Sequence, residues 1–73
     1  MKERKEILAA FGSSMRKQRK LKGLSQESLA SLAGLDRTYV GAVERGERNP
    51  SLVNICRLAK ALRIKPADLL GEI

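Results

Sequence analysis

Apolar residues recur along the chain at helical spacing, in blocks separated by glycine, proline and short polar runs. The first block covers about residues 5–22, after a start (Met1–Glu6) that is nearly all charge and expected to fray. Leu8, Phe11, Met15 and Arg19 fall on one stripe of it, and nothing breaks the helix except Gly12, which it can tolerate. An arginine at the end of an apolar stripe needs a partner or a reason. The second block, about 26–33, carries Leu29 and Ala33, and the third, about 37–45, carries Val40 and Val43. Each pair faces one way, because residues three or four apart share a helix face. The fourth block, about 52–63, places Leu52, Ile55, Ala59 and Leu62 inward, with Cys56 and Leu58 on the flanks. A short fifth, about 66–70, opens on Pro66, a favoured first helical residue, and brings Leu69 and Leu70. The pattern is all-α, five helices in one domain over residues 1–73.

Punctuation between the blocks agrees with this reading. Gly23 stops the first helix. Ser25 caps the second, with Glu27 in its first turn complementing the helix dipole. Gly34 ends that helix, since a turn with positive φ costs glycine no Cβ clash. Asp36 then caps the third helix, and Ser51, after the polar loop Glu47–Pro50, caps the fourth. Ala30 is small enough to let the third helix cross close to the second. A small residue, a glycine four later and a valine six beyond form the spacing of a helix-turn-helix. Its second helix turns Arg37, Thr38 and Tyr39 outward, while Gly41 and Ala42 keep the outer surface low enough for close approach to a groove.

Composition narrows what such a motif would do. Seventy-three residues allow one modest core, so a partner subunit burying further apolar surface would help. The formal charge of +7, with a pI near 10.2, suits a nucleic-acid partner but equally a basic protein indifferent to DNA. Arg16–Lys22 concentrates five cations in seven residues, a solvated face by itself and phosphate-directed potential beside a DNA reader. Gln26 is either an ordinary exposed polar residue or, with its helix N-terminus, a phosphate contact. No histidine is present, and the single cysteine, Cys56, has no second ligand or base. Metal sites, cofactors and enzymatic chemistry are therefore unsupported, and Cys56 reads as a small apolar filler. A lone cysteine fits a reducing cytoplasm, and the apolar run Ile7–Phe11 is too short for a signal or membrane segment. Near the C-terminus, Ile64, Leu69, Leu70 and Ile73 exceed what one terminal turn needs. Leu69 is expected inward, leaving Ile64, Leu70 and Ile73 for a second copy of the chain.

The run GLSQESLASLAGLDRTYVGAVERGERNPSL, followed by LAKALRIKPADLL, resembles the Cro/cI-type (XRE) helix-turn-helix family. Phe-Gly near the start, Asp-Arg-Thr-Tyr and Glu-Arg-Gly-x-Arg-Asn look most like the controller proteins of restriction–modification systems. The resemblance implies a compact, phage-repressor-like five-helix domain that binds double-stranded operator DNA as a homodimer. It also implies roles for particular residues. Arg37, Thr38 and Ala42 fall where the family reads bases, and Gln26, Tyr39, Arg48 and Asn49 where it touches the DNA backbone. Arg19 and Glu44 match a paired arginine and glutamate beneath the reading helix, which gives the odd arginine its reason. Ala42 departs from relatives that carry a longer polar side chain and offers only a methyl group, which suits thymine. RNA polymerase would be a further partner of an activator. The alternative from a different class is a protein-interaction module, such as an antitoxin of Cro-like fold. An apolar patch away from Arg37 would favour it.

Overall fold

A computed structural model describes residues 3–71 and Ile73. Its helices are α1 (Arg4–Leu21), α2 (Gln26–Ala33), α3 (Arg37–Glu44), α4 (Leu52–Leu62) and α5 (Pro66–Leu70). Arg4–Glu6 are helical rather than frayed, while Met1 and Lys2 lie outside the described residues. Elsewhere the boundaries move by a single residue from those the pattern predicts.

The caps explain why the breaks fall where they do. Ser25 Oγ accepts the Ser28 N–H at 2.9 Å, Asp36 Oδ1 the Thr38 N–H at 2.7 Å, and Ser51 Oγ the Asn54 N–H at 3.1 Å. Each bond satisfies a donor that the first helical turn leaves free. Gly34 closes α2 with φ 69°, and the Leu35 N–H donates back to Ala30 O at 2.9 Å. In α5 the Asp68 carboxylate reaches back to the Lys65 N–H at 3.0 Å, beside Pro66 at the first helical position.

Every helix contributes to one core. Met15 of α1, Leu29 of α2, Val40 and Val43 of α3, Leu58 and Leu62 of α4, and Leu69 of α5 are all fully buried. Burial of such side chains contributes about 1.5–3 kcal/mol each relative to exposure. The inner stripe of α4 differs from the expected one. Leu58 is fully buried rather than flanking, Ile55 is half-buried, and Leu52 is exposed. The buried face of α4 centres on Ile55, Leu58, Ala59 and Leu62, which leaves Leu52 at its edge. Cys56 lies further round the helix and is exposed, so it fills no core space.

Gly12 proves to be a requirement rather than a tolerated lapse. A Cβ there would stand 2.5 Å from the carbonyl oxygens of both Val43 and Glu44. The absent side chain lets α1 lie directly on the C-terminal end of α3. That contact sets the height and tilt of α3 over the rest of the molecule.

Candidate nucleic-acid interface

The exposed end of α3 is built by its cap. Asp36 holds the first turn, and Arg37 and Thr38 project from it into solvent. Val40 and Val43, on the opposite side, anchor the helix in the core. Ala42 is half-buried and lies one turn beyond Thr38, with Arg45 a further turn along the same line. Thr38, Ala42 and Arg45 thus form an outer stripe, with Arg37 beside it.

Gly41 does not lie on that outer surface. It is buried, and a Cβ there would stand 3.2 Å from an Arg45 guanidinium nitrogen and 3.4 Å from Gln26 Oε1. Its missing side chain makes room for those two side chains rather than for a groove wall. Gln26 and Arg45 both reach over Gly41, one from the first turn of α2 and the other from the end of α3. Arg45 also pairs with Glu47 at 3.1 Å, in the open, where such a pair contributes little. Helical period puts Arg45 on the outer stripe, but its nearness to Gln26 depends on how α2 crosses.

Beneath this surface lies a charged junction. Arg19 Nε donates to Glu44 Oε2 at 2.6 Å, and a second guanidinium nitrogen donates to Oε1 at 3.1 Å. The side chains are 11% and 3% exposed. Arg19 also donates to Leu24 O at 2.8 Å, and Gln26 Nε2 donates to Glu44 Oε1 at 3.0 Å. The Glu44 carboxylate ties the end of α3 to α1 and to the first turn of α2, and Arg19 ties in the loop before α2. Among the described residues no buried side-chain nitrogen or oxygen lacks a hydrogen-bond partner. A buried charge pair is tolerable only with such complete satisfaction. Gln26 keeps a second amide hydrogen beyond its bond to Glu44, at the rim where α2 begins.

A second cluster follows α3. The Arg48 guanidinium lies over the Tyr39 ring, 5.1 Å from its centroid, within cation–π range. Asn54 Nδ2, from the first turn of α4, donates to the Tyr39 hydroxyl at 3.1 Å. Tyr39 is half-buried rather than fully outward, while Arg48 and Asn49 are exposed. Asn54 carries no sequence signal of its own. A polar residue in a capped first turn is ordinary, and only the fold brings it to Tyr39.

The C-terminal residues expected at a partner surface divide. Ile64 is half-buried and packs on the core, whereas Leu70 and Ile73 are 39% and 45% exposed. Larger apolar exposure lies on α4, where Leu52 and Val53 are 72% and 61% exposed beside Cys56. Among the described residues no three His, Cys, Asp or Glu side chains could share a metal ion, and no helix is long and apolar enough to cross a membrane.

Known proteins share this arrangement. A helix-turn-helix family model, HTH_3, matches residues 15–69. The control protein C.SmaI of Serratia marcescens is 50% identical over 66 residues, covering 90% of this chain and 75% of that protein. The crystal structure of the restriction–modification controller protein C.AhdI from Aeromonas hydrophila superposes with a TM-score of 0.84 at 63% identity, covering 85% of this chain and 94% of that one. A third structure, the controller protein C.Esp1396I as a tetramer in complex with its natural 35 base-pair operator, superposes with a TM-score of 0.82 at 31% identity. It covers 89% of this chain and 86% of that one.

Proposed function

The chain belongs to the HTH_3 helix-turn-helix family, and on that premise we propose that it is a sequence-specific, double-stranded-DNA-binding transcriptional regulator. Its closest functional description is a restriction–modification controller acting as a homodimer on a near-palindromic operator, in the cytoplasm. The observation that carries this reading is the exposed first turn of α3, with Arg37 and Thr38, on a helix whose other end is anchored by the buried Arg19–Glu44 pair and Gln26. A cationic helix end mounted rigidly on a small basic domain has the form that enters a major groove.

Roles follow from position. Arg37 reads guanine through its two-pronged guanidinium, Thr38 reads a neighbouring base edge, and Ala42 offers its methyl to thymine. Gln26, Tyr39, Arg48 and Asn49 hold the phosphate backbone, and Arg45 joins Gln26 on that rim. With so few base contacts per protomer, a second copy related by a two-fold axis doubles the readout. Leu70 and Ile73, with the half-buried Ile64 and the Leu52–Val53–Cys56 surface of α4, supply apolar area for it. RNA polymerase is a further partner where the regulator activates.

The exposed Leu52, Val53 and Cys56 of α4 also suit the protein-interaction reading, an antitoxin of this fold. Two measurements separate them. Selection from random duplex DNA by the pure protein should enrich inverted half-sites about one helical turn, ~34 Å, apart. Arg37→Ala should then lose ~1–3 kcal/mol on the selected site and little on random DNA. Sedimentation should show a concentration-dependent dimer. No enriched sequence, with a monomer at hundreds of micromolar, overturns the regulator reading.

A further inference from the structure

Tyr39 is the only tyrosine in the chain, and its hydroxyl is not left to solvent. A phenol has one hydrogen to donate and two lone pairs to accept with. Asn54 Nδ2 donates to the oxygen at 3.1 Å, so α4 occupies an acceptor site. The phenol hydrogen remains free to point away from α4. Over the face of the same ring sits the Arg48 guanidinium, 5.1 Å from the centroid. Asn54 is itself fixed, because Ser51 Oγ accepts its backbone N–H at 3.1 Å. A capped helix turn thus holds an amide, the amide holds a phenol, and the phenol carries a cation from the following loop.

We propose that Asn54 is a positioning residue of the DNA-contacting face. It directs the Tyr39 hydroxyl hydrogen outward to a phosphate oxygen, and through the ring it places Arg48. The inference rests on the DNA-binding reading above and deepens it, adding a residue that touches no DNA. Its physical content is a choice of polarity. With an amide N–H behind it, the phenol donates forward. With a carboxylate behind it, the phenol hydrogen is drawn back and the outward face of the oxygen can only accept, which no phosphate satisfies.

The test uses Asn54→Leu, Asn54→Asp and Tyr39→Phe in the full chain. Asn54→Leu should weaken binding to the selected duplex roughly tenfold, the worth of about one charge-assisted hydrogen bond, with an unchanged melting temperature. In a Tyr39→Phe background the same change should cost under about twofold, because the hydroxyl it acts through is gone. An equal loss in both backgrounds, or no loss in either, overturns the proposal. A DNA-free readout stands beside these. The Raman doublet of the single tyrosine reports whether its hydroxyl chiefly accepts or donates. It should shift towards strong donation in Asn54→Asp, and an unchanged doublet overturns the proposed polarity. If the wild-type protein selects no duplex at all, the DNA-binding reading fails and takes this role with it. The Raman result then still decides whether Asn54 sets the phenol's polarity.

Discussion

The two ends of α3 are built on opposite terms. At its C-terminal end Val43 is buried, the Val43 and Glu44 carbonyls press on Gly12, and the Glu44 carboxylate is held by Arg19 and Gln26. At its N-terminal end Arg37 and Thr38 are exposed, and one short bond to Asp36 holds the turn. The base is held by two elements distant in sequence, α1 and α2, whereas Arg37 and Thr38 at the tip are held by their neighbour Asp36. A helix gripped at one end and bare at the other can vary its exposed side chains without unfolding. It cannot vary its grip so freely. Stability and recognition should therefore separate along eight residues of one helix.

Removal of one partner of the Arg19–Glu44 pair should give the largest effect. Arg19→Ala or Glu44→Ala strands a buried charge and should lose about 3–5 kcal/mol of stability. A domain of this size has roughly 4–11 kcal/mol in all, so either change approaches unfolding. Chemical denaturation of the single and double variants measures the coupling. Single losses below about 0.5 kcal/mol with no coupling would mean the base is no more anchored than the tip.

Gly12→Ala sharpens the comparison because two effects oppose. In an unencumbered helix the change would stabilise by about 0.5–1 kcal/mol through propensity. Here the new methyl meets two backbone carbonyls at 2.5 Å, which no rotamer relieves. Overpacking should win, with a net loss of roughly 2 kcal/mol in thermal or urea unfolding. A stabilised variant would show that α1 does not bear on the end of α3.

The same contrast marks what could be read from the chain. Ser25, Gly34, Asp36 and Ser51 were legible because caps and turns are decided by residues a few positions apart. The direction of Val40 and Val43 was legible from helical period. Arg19 announced itself as a cation on an apolar stripe, but its partner came from resemblance and not from spacing. Gly12 and Gly41 were misread, because what fills the space beside them arrives from other helices. Leu52 and Leu58 exchanged roles for a related reason: period allows a buried face centred to either side of Ile55, and the neighbouring helices decide which. For the candidate site, Arg37 and Thr38 were readable as the exposed start of a capped helix. The nearness of Arg45 to Gln26 and the role of Asn54 became visible only through the crossing of α2 and the contact of α4 with Tyr39.

Asp36 is where the tip itself adds to stability, and it should give the smallest effect. Its Oδ1 accepts the Thr38 N–H at 2.7 Å, so Asp36→Ala should cost ~1 kcal/mol, the usual worth of an N-cap. The residue also places a negative charge next to Arg37, towards any approaching phosphate. Its loss should therefore strengthen binding to random DNA slightly, and more at low salt than at high salt. Asp36→Ser separates the two effects, since serine caps as well as aspartate but carries no charge. It should unfold like the wild type yet share the gain in non-specific affinity. Urea unfolding and binding at two salt concentrations read both. If Asp36→Ala instead loses more than about 3 kcal/mol, the tip is as deeply built in as the base, and the division of α3 fails. If Asp36→Ser unfolds like Asp36→Ala, the charge at the helix dipole, rather than the cap bond, holds the first turn.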